Sequence, residues 1–88
     1  MSVIKDVFMI EDNAFWTRLQ AVIIWAGMNT RQFSMRIGLN SPENLYRIKR
    51  GQNGISRQLA DRIASCYPRI SRGWLLTGEG EMLLKETD

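Results

Sequence analysis

The chain reads as an all-α domain, and three observations predict it. Apolar residues recur at three- and four-residue spacing through most of the sequence, the pattern of helices with one buried face. Short polar joints separate these stretches: Asn29, Ser41, Ser56 and Ser71 stand ahead of them as capping residues, and Gly27, Gly38, Gly51, Pro68 and Gly78 follow them as stops. Finally, 88 residues with 44% hydrophobic content suffice for one compact core and leave no room for a second.

Each element can be justified in turn. Residues 1–12 read as a short extended piece, because Val3-Ile4 and Val7-Phe8-Met9-Ile10 are rich in β-branched and aromatic side chains. A first helix is expected from Asn13 to Ala26, burying Phe15, Leu19, Val22, Ile23 and Ala26 and ending at Gly27. Ile24 and Trp25 fall off that stripe, so the N-terminal segment or a second subunit is expected to cover them. A second helix of about eight residues opens with Asn29 as cap, Gln32 completing a capping box and Met28 stapling onto Phe33. It turns Phe33 and Ile37 inward and stops at Gly38. The third begins at Ser41 with Pro42 in its first position, where a missing N–H costs nothing, and stops at Gly51. Its Leu45 and Ile48 share one side, while Asn44, Arg47 and Lys49, with Glu43, lie largely on the other. Gln52-Asn53-Gly54 makes a turn. Ser56 caps a fourth helix carrying Leu59, Ile63, Cys66 and Tyr67 to Pro68. Ser71 caps a fifth, Arg72 to Thr77, with Ile70 stapled on Leu75. The expected organisation is an extension over 1–12, a domain over 13–78 and an acidic tail or linker over 79–88, with its own apolar run Met82-Leu83-Leu84.

Several function classes fall away. One cysteine and no histidine supply neither an internal disulfide nor a zinc site, so no metal ligands are named; the thiol usage fits a reducing cytoplasm. Cys66 reads as a small core residue, since nothing is available to activate it as a nucleophile. Without histidine, a metal set or paired carboxylates, no catalytic residues, no cofactor and no small-molecule substrate are expected; the chain is not read as an enzyme. No signal peptide is recognised, and the apolar run from Ala21 to Met28 is far short of the ~20 residues that cross a bilayer, so no membrane partner is expected.

Charge is unevenly placed. The whole chain carries +3, but residues 13–72 hold Arg18, Arg31, Arg36, Arg47, Lys49, Arg50, Arg57, Arg62, Arg69 and Arg72 against only Glu43 and Asp61, a net +8. Residues 1–12 carry −2 and residues 73–88 carry −3. A cationic middle between anionic ends suits a polyanionic partner, or is a solvated basic surface.

The second and third helices, joined by a tight glycine-containing turn, with the later one amphipathic and basic, form a helix-turn-helix pattern. A major groove about 12 Å wide admits one α-helix, which must hold apolar side chains against a support and present polar ones outward. The third helix meets that requirement. Arg31 and Thr30 stand at the start of the second, where free backbone N–H groups suit a phosphate.

Residues Gly27-Met28, Phe33-Ser34, Ile37-Gly38, Leu45, Arg47-Ile48, Arg50-Gly51, Ile55-Ser56, Leu59-Ala60, Ile63-Ala64 and Trp74-Leu75-Leu76-Thr77-Gly78-Glu79-Gly80 resemble the DNA-binding domain of phage-repressor (Cro/CI-like) regulators. With the first helix included, the resemblance covers about 70 of the 88 residues. It implies a five-helix repressor-type domain with short extended segments allowed at either end, binding double-stranded operator DNA as a homodimer to regulate transcription, chiefly by repression. Two features depart from that pattern. The turn Gly38-Leu39-Asn40-Ser41 is one residue longer than usual, and Pro42 and Glu43 stand where an amide or basic side chain is commoner. By position, Glu43 and Arg47 would face base edges, with Asn44 and Tyr46 flanking them. Arg pairs with guanine and Glu accepts from the cytosine amino group. Glu43 reads equally as a first-turn carboxylate favoured by the helix dipole, and Tyr46 as packed against the domain. Thr30, Arg31, Asn40, Lys49, Arg50 and Gln52 would contact phosphate. Ile24, Trp25, the 3–10 segment and Met82-Leu83-Leu84 are surplus apolar surface for a dimer contact. The rival class is a protein-interaction module, such as an antitoxin that neutralises a partner through the apolar N- and C-terminal segments.

Overall fold

The computed structural model describes residues 13–85; the extended piece expected over 1–12 and the last three residues lie outside them. Five helices follow in order: α1 (Ala14–Trp25), α2 (Thr30–Arg36), α3 (Glu43–Lys49), α4 (Arg57–Cys66) and α5 (Arg72–Thr77). Among the described residues there is no strand, only one antiparallel bridge between Ile70 and Leu83. The all-α expectation holds.

Side-chain caps set most of the helix starts. Asn13, Asn29, Ser56 and Ser71 each accept a hydrogen bond from the backbone N–H three residues on, at 3.4, 2.8, 3.1 and 3.1 Å. At Asn29 the box closes, because the Gln32 side chain also accepts from the Asn29 N–H at 3.1 Å. The third helix differs from its expected boundary. Pro42, not Ser41, is its boundary residue and has no side-chain cap, while the Ser41 hydroxyl accepts from the Glu43 N–H at 3.3 Å. Ser41 therefore still serves the start of α3, from one residue further out.

The first three helices end alike. After α2, the Gly38 N–H donates to the Met35 carbonyl at 3.1 Å and the Leu39 N–H to the Ser34 carbonyl at 2.9 Å. This six-to-one and five-to-two pairing needs a left-handed residue, supplied by Gly38 at φ +88°. The same pairs recur around Gly27 and Gly51. Each helix is thus stopped by a local signal, leaving the order of packing to the apolar faces.

Those faces build one core: Leu19, Val22 and Ile23 of α1, Phe33 and Ile37 at α2, Leu45 and Ile48 of α3, Leu59, Ala60 and Ile63 of α4, with Ile55, Ile70 and Leu75. Phe33 is fully buried and stacks on Tyr67 with centroids 5.7 Å apart and planes 6° from parallel. Ser34 is the one buried polar residue in this core, and its hydroxyl satisfies itself on the Arg31 carbonyl at 2.7 Å. Cys66 departs from expectation: it is exposed, not core. It lies at the last turn of α4, where the inward positions are taken by Ile63 and the half-buried Tyr67, and its Sγ faces the Arg36 carbonyl at 3.5 Å.

The segment after α5 comes back onto the domain. The Ser71 N–H donates to the Met82 carbonyl at 2.8 Å and the Leu84 N–H to the Arg69 carbonyl at 2.7 Å. Met82 and Leu83 are half-buried against the core, and Leu84 stays exposed. Met82 and Leu83 therefore cover the molecule's own interior instead of standing as surplus surface.

Replacing the central aromatic tests this packing directly. Phe33→Ala should lower the unfolding free energy by about 3–5 kcal/mol, measured by urea denaturation. A loss below about 1 kcal/mol would mean that burial of Phe33 contributes little to this core.

Candidate nucleic-acid interface

The surface around α3 follows from two buried residues. At 100° per residue, fully buried Leu45 and Ile48 fix one side of α3, and the opposite ridge is Glu43, Arg47 and Arg50. All three are exposed. Asn44 and Lys49 fall on the two flanks, a correction to the expectation that both share the outward face. Asn44 is exposed beside Asn53, Gly54, Ile55 and Ser56 at the entry to α4. Lys49 leans toward α1, its Nζ 5.7 Å from the Trp16 ring centroid. Tyr46 is half-buried and shares a cleft with Arg31, Met35, Asn40, Ser41 and Pro42. That cleft joins the foot of α2 to the start of α3, bringing together expected base contacts (Tyr46) and expected phosphate contacts (Arg31 and Asn40). Thr30 is half-buried at the start of α2, and Gln52 is exposed after α3.

Charges on the ridge organise one another. Glu43 Oε2 accepts from Arg50 Nη2 at 2.7 Å and lies 3.7 Å from Arg47 Nε, one turn away. The hydrogen bond from Arg50 holds the Glu43 carboxyl below the usual glutamate range, and the positive charges of Arg50 and Arg47 act the same way. One carboxylate against two guanidinium groups leaves the ridge cationic.

Two contacts that sequence reasoning missed hold α3 in place. Asn13 not only caps α1 but donates from Nδ2 to the Lys49 carbonyl at 2.8 Å, tying the end of α3 to the start of α1. Arg62 of α4 donates from Nη1 to the carbonyls of Ile37 and Gly38 at 3.2 and 3.3 Å, clamping the turn between α2 and α3. Neither is visible locally, because the acceptors lie 36 and 25 residues away in the chain. Other cations of the basic middle are also engaged internally. Arg18 Nε donates to the Leu75 carbonyl at 3.1 Å and sits over Phe15, and its partial burial lowers its pKa. Arg72 pairs with Asp61.

An apolar surface remains elsewhere. Ile24 is 68% exposed, Met35 63% and Trp25 41%, although Trp25 meets Tyr67 edge-on at 5.8 Å. Among the described residues nothing covers Ile24; the N-terminal segment expected to cover it lies outside them. No group of His, Cys, Asp and Glu that could hold a metal occurs among the described residues, and no helix there is long and apolar enough to cross a membrane. Compared with known proteins, the chain matches no protein-family model, and neither a curated protein nor a solved structure matches it significantly.

Two outcomes follow from this geometry. Gly38→Ala should cost more stability than Gly51→Ala. Both residues are left-handed, a strain of about 1–2 kcal/mol for a side chain. At Gly38, however, the new Cβ would sit 2.9 Å from Arg62 Nη1 and push it off its two carbonyls, whereas Gly51 faces open space. Equal losses in thermal melts would mean that the Arg62 clamp carries no weight. The Glu43 carboxyl should titrate below the ordinary glutamate range by NMR. Because its folded-state pKa is depressed, the ion cluster's contribution is present above the unfolded-state pKa and lost as pH falls through the folded-state one. Arg50→Ala should raise that midpoint, and no change would remove Arg50 as the cause.

Proposed function

We propose that this domain binds double-stranded DNA sequence-specifically, with α3 in the major groove, and regulates transcription as a homodimer, by repression. The observation that carries the reading is the outward ridge of α3. It presents two guanidinium groups and one carboxylate to solvent from a helix whose other side is fully buried. A single exposed α-helix with polar groups on its free edge has the width and chemistry a major groove accepts. In this reading Arg47 contacts a base edge, with Asn44 and Tyr46 flanking it. Arg31, Asn40, Lys49, Arg50 and Gln52, with Thr30, touch phosphates on either side. The resemblance of residues 13–82 to phage-repressor domains supports the same placement, and with it a cytoplasmic protein.

A second reading is a protein-interaction module such as an antitoxin. It is favoured by one observation, the exposure of Ile24 and Met35, apolar surface that a contact with another protein would cover.

Affinity for duplex DNA, measured at two salt concentrations, separates the two. A DNA-binding domain contacting roughly four to eight phosphates loses affinity steeply as salt rises. Arg47→Ala should cost about 1–3 kcal/mol and relax preference at one base position. Arg50→Ala should weaken all sequences alike. A salt-independent or undetectable interaction would remove the DNA reading and leave the interaction module.

A further inference from the structure

The apolar surface left without a cover among the described residues has a definite shape. Buried Leu19, Val22 and Ile23 fix the inner side of α1. At 100° per residue the opposite side runs along Thr17 and Ala21, with Ile24 on one flank and Trp25 on the other. Thr17 and Ala21 are small, so the two larger side chains wall a shallow channel. Directly beyond α1, Gly27 and Met28 open a cleft that Gln32, Met35 and Arg36 of α2 complete. Arg36 is exposed there, and among the described residues no carboxylate pairs with it.

We propose that this channel and cleft seat the chain's own residues 3–10, which run back along α1 as an extended segment. Length, pattern and charge favour this occupant over any other. The twelve residues of α1 make about 18 Å of helix. An extended chain covers that length in five or six residues, at about 3.3 Å each. Running back from Asn13, Val7 and Phe8 therefore come level with Ile24 and Trp25, and Asp6 with the cleft where Arg36 lies. Val3 and Ile4 reach on toward Met35. The two apolar blocks, Val3-Ile4 and Val7-Phe8-Met9-Ile10, thus fall on the two apolar parts of the surface, and the acid between them falls on its cation. The same face of a second copy would bring another Arg36 instead, a like charge. The segment is also tethered beside its seat, at an effective concentration of about millimolar, well above that of a second copy in dilute solution. This docking does not depend on DNA binding; it closes the surface that favours the interaction-module reading.

The test is urea denaturation of the full chain at two protein concentrations, with Ile24→Ala as the deciding variant because its sign differs between the two cases. On a bare helix surface alanine is the better helix former, so Ile24→Ala would be as stable as the wild type or slightly more so. Beneath the N-terminal segment, the lost contact should raise the unfolding equilibrium constant by roughly tenfold. That loss should vanish when Val7→Ser and Phe8→Ser are already in place, because substitutions of residues in contact do not add. It should also be the same at both concentrations. In a mixture of isotope-labelled and unlabelled chains, NOEs between Phe8 and Ile24 should arise within one chain only. A neutral or stabilising Ile24→Ala overturns the proposal and leaves the face bare. A loss that persists beside Val7→Ser and Phe8→Ser overturns it as well, since something other than this segment then covers Ile24. A loss that changes with concentration, or NOEs between chains, gives the face to a second copy and overturns it equally.

Discussion

A helix as short as α3 cannot persist by its own hydrogen bonds, because nucleation costs more than two turns return. It exists because Leu45 and Ile48 are buried without remainder between the other helices, and α1 is among the elements packed against it. Much else follows from that anchorage. With two positions fixed inward, the helical repeat leaves Glu43, Arg47 and Arg50 no direction but outward. The ends of α3 are then secured by groups drawn from elsewhere. The Asn13 amide holds its last carbonyl and the Arg62 guanidinium holds the turn before it. The ridge is thus borne on a rigid base, which matters for a surface proposed to recognise base edges, where misplacement costs specificity.

The fold also divides the basic charge into two kinds. Arg18 and Arg62 spend their guanidinium groups on backbone carbonyls that close helix ends, and Arg72 spends its own on Asp61. These cations are structural ties with limited freedom to meet a polyanion. Arg47 and Arg50 are tied only to one another's neighbour, Glu43, on a solvated surface where such pairs rearrange easily. The net positive charge of the middle segment therefore overstates the cationic surface left to solvent, to which Arg47 and Arg50 on α3 and Arg31 in the adjoining cleft contribute.

Apolar surface is divided in the same way. Met82 and Leu83 return to the core through the bridge at Ile70, so the segment after α5 up to Lys85 acts as part of the domain. Ile24 and Met35 stay outside on α1 and α2. They lie on helices whose inward positions are already filled by Val22, Ile23, Phe33 and Ile37, and a helix has only one side to bury.

What the sequence by itself determined is local. The caps at Asn29, Ser56 and Ser71, the stops at Gly27, Gly38, Gly51 and Gly78, and the burial of Leu45, Ile48, Phe33 and Leu75 were all legible, because each depends on residues within one or two turns. Spacing along the chain also foretold that Ile24 would be left over. Tertiary structure alone decided which side chains meet across the chain. The exposure of Cys66, the half-burial of Tyr46, the turning of Lys49 toward Trp16 and the ties from Asn13 and Arg62 depend on how helices are placed against each other. The sharing of Glu43 Oε2 by Arg47 and Arg50 lies between the two: the spacing allowed it, but only side-chain geometry chose the oxygen. Periodicity tells which side of a helix is buried; the neighbour that buries it is fixed by packing among residues distant in sequence.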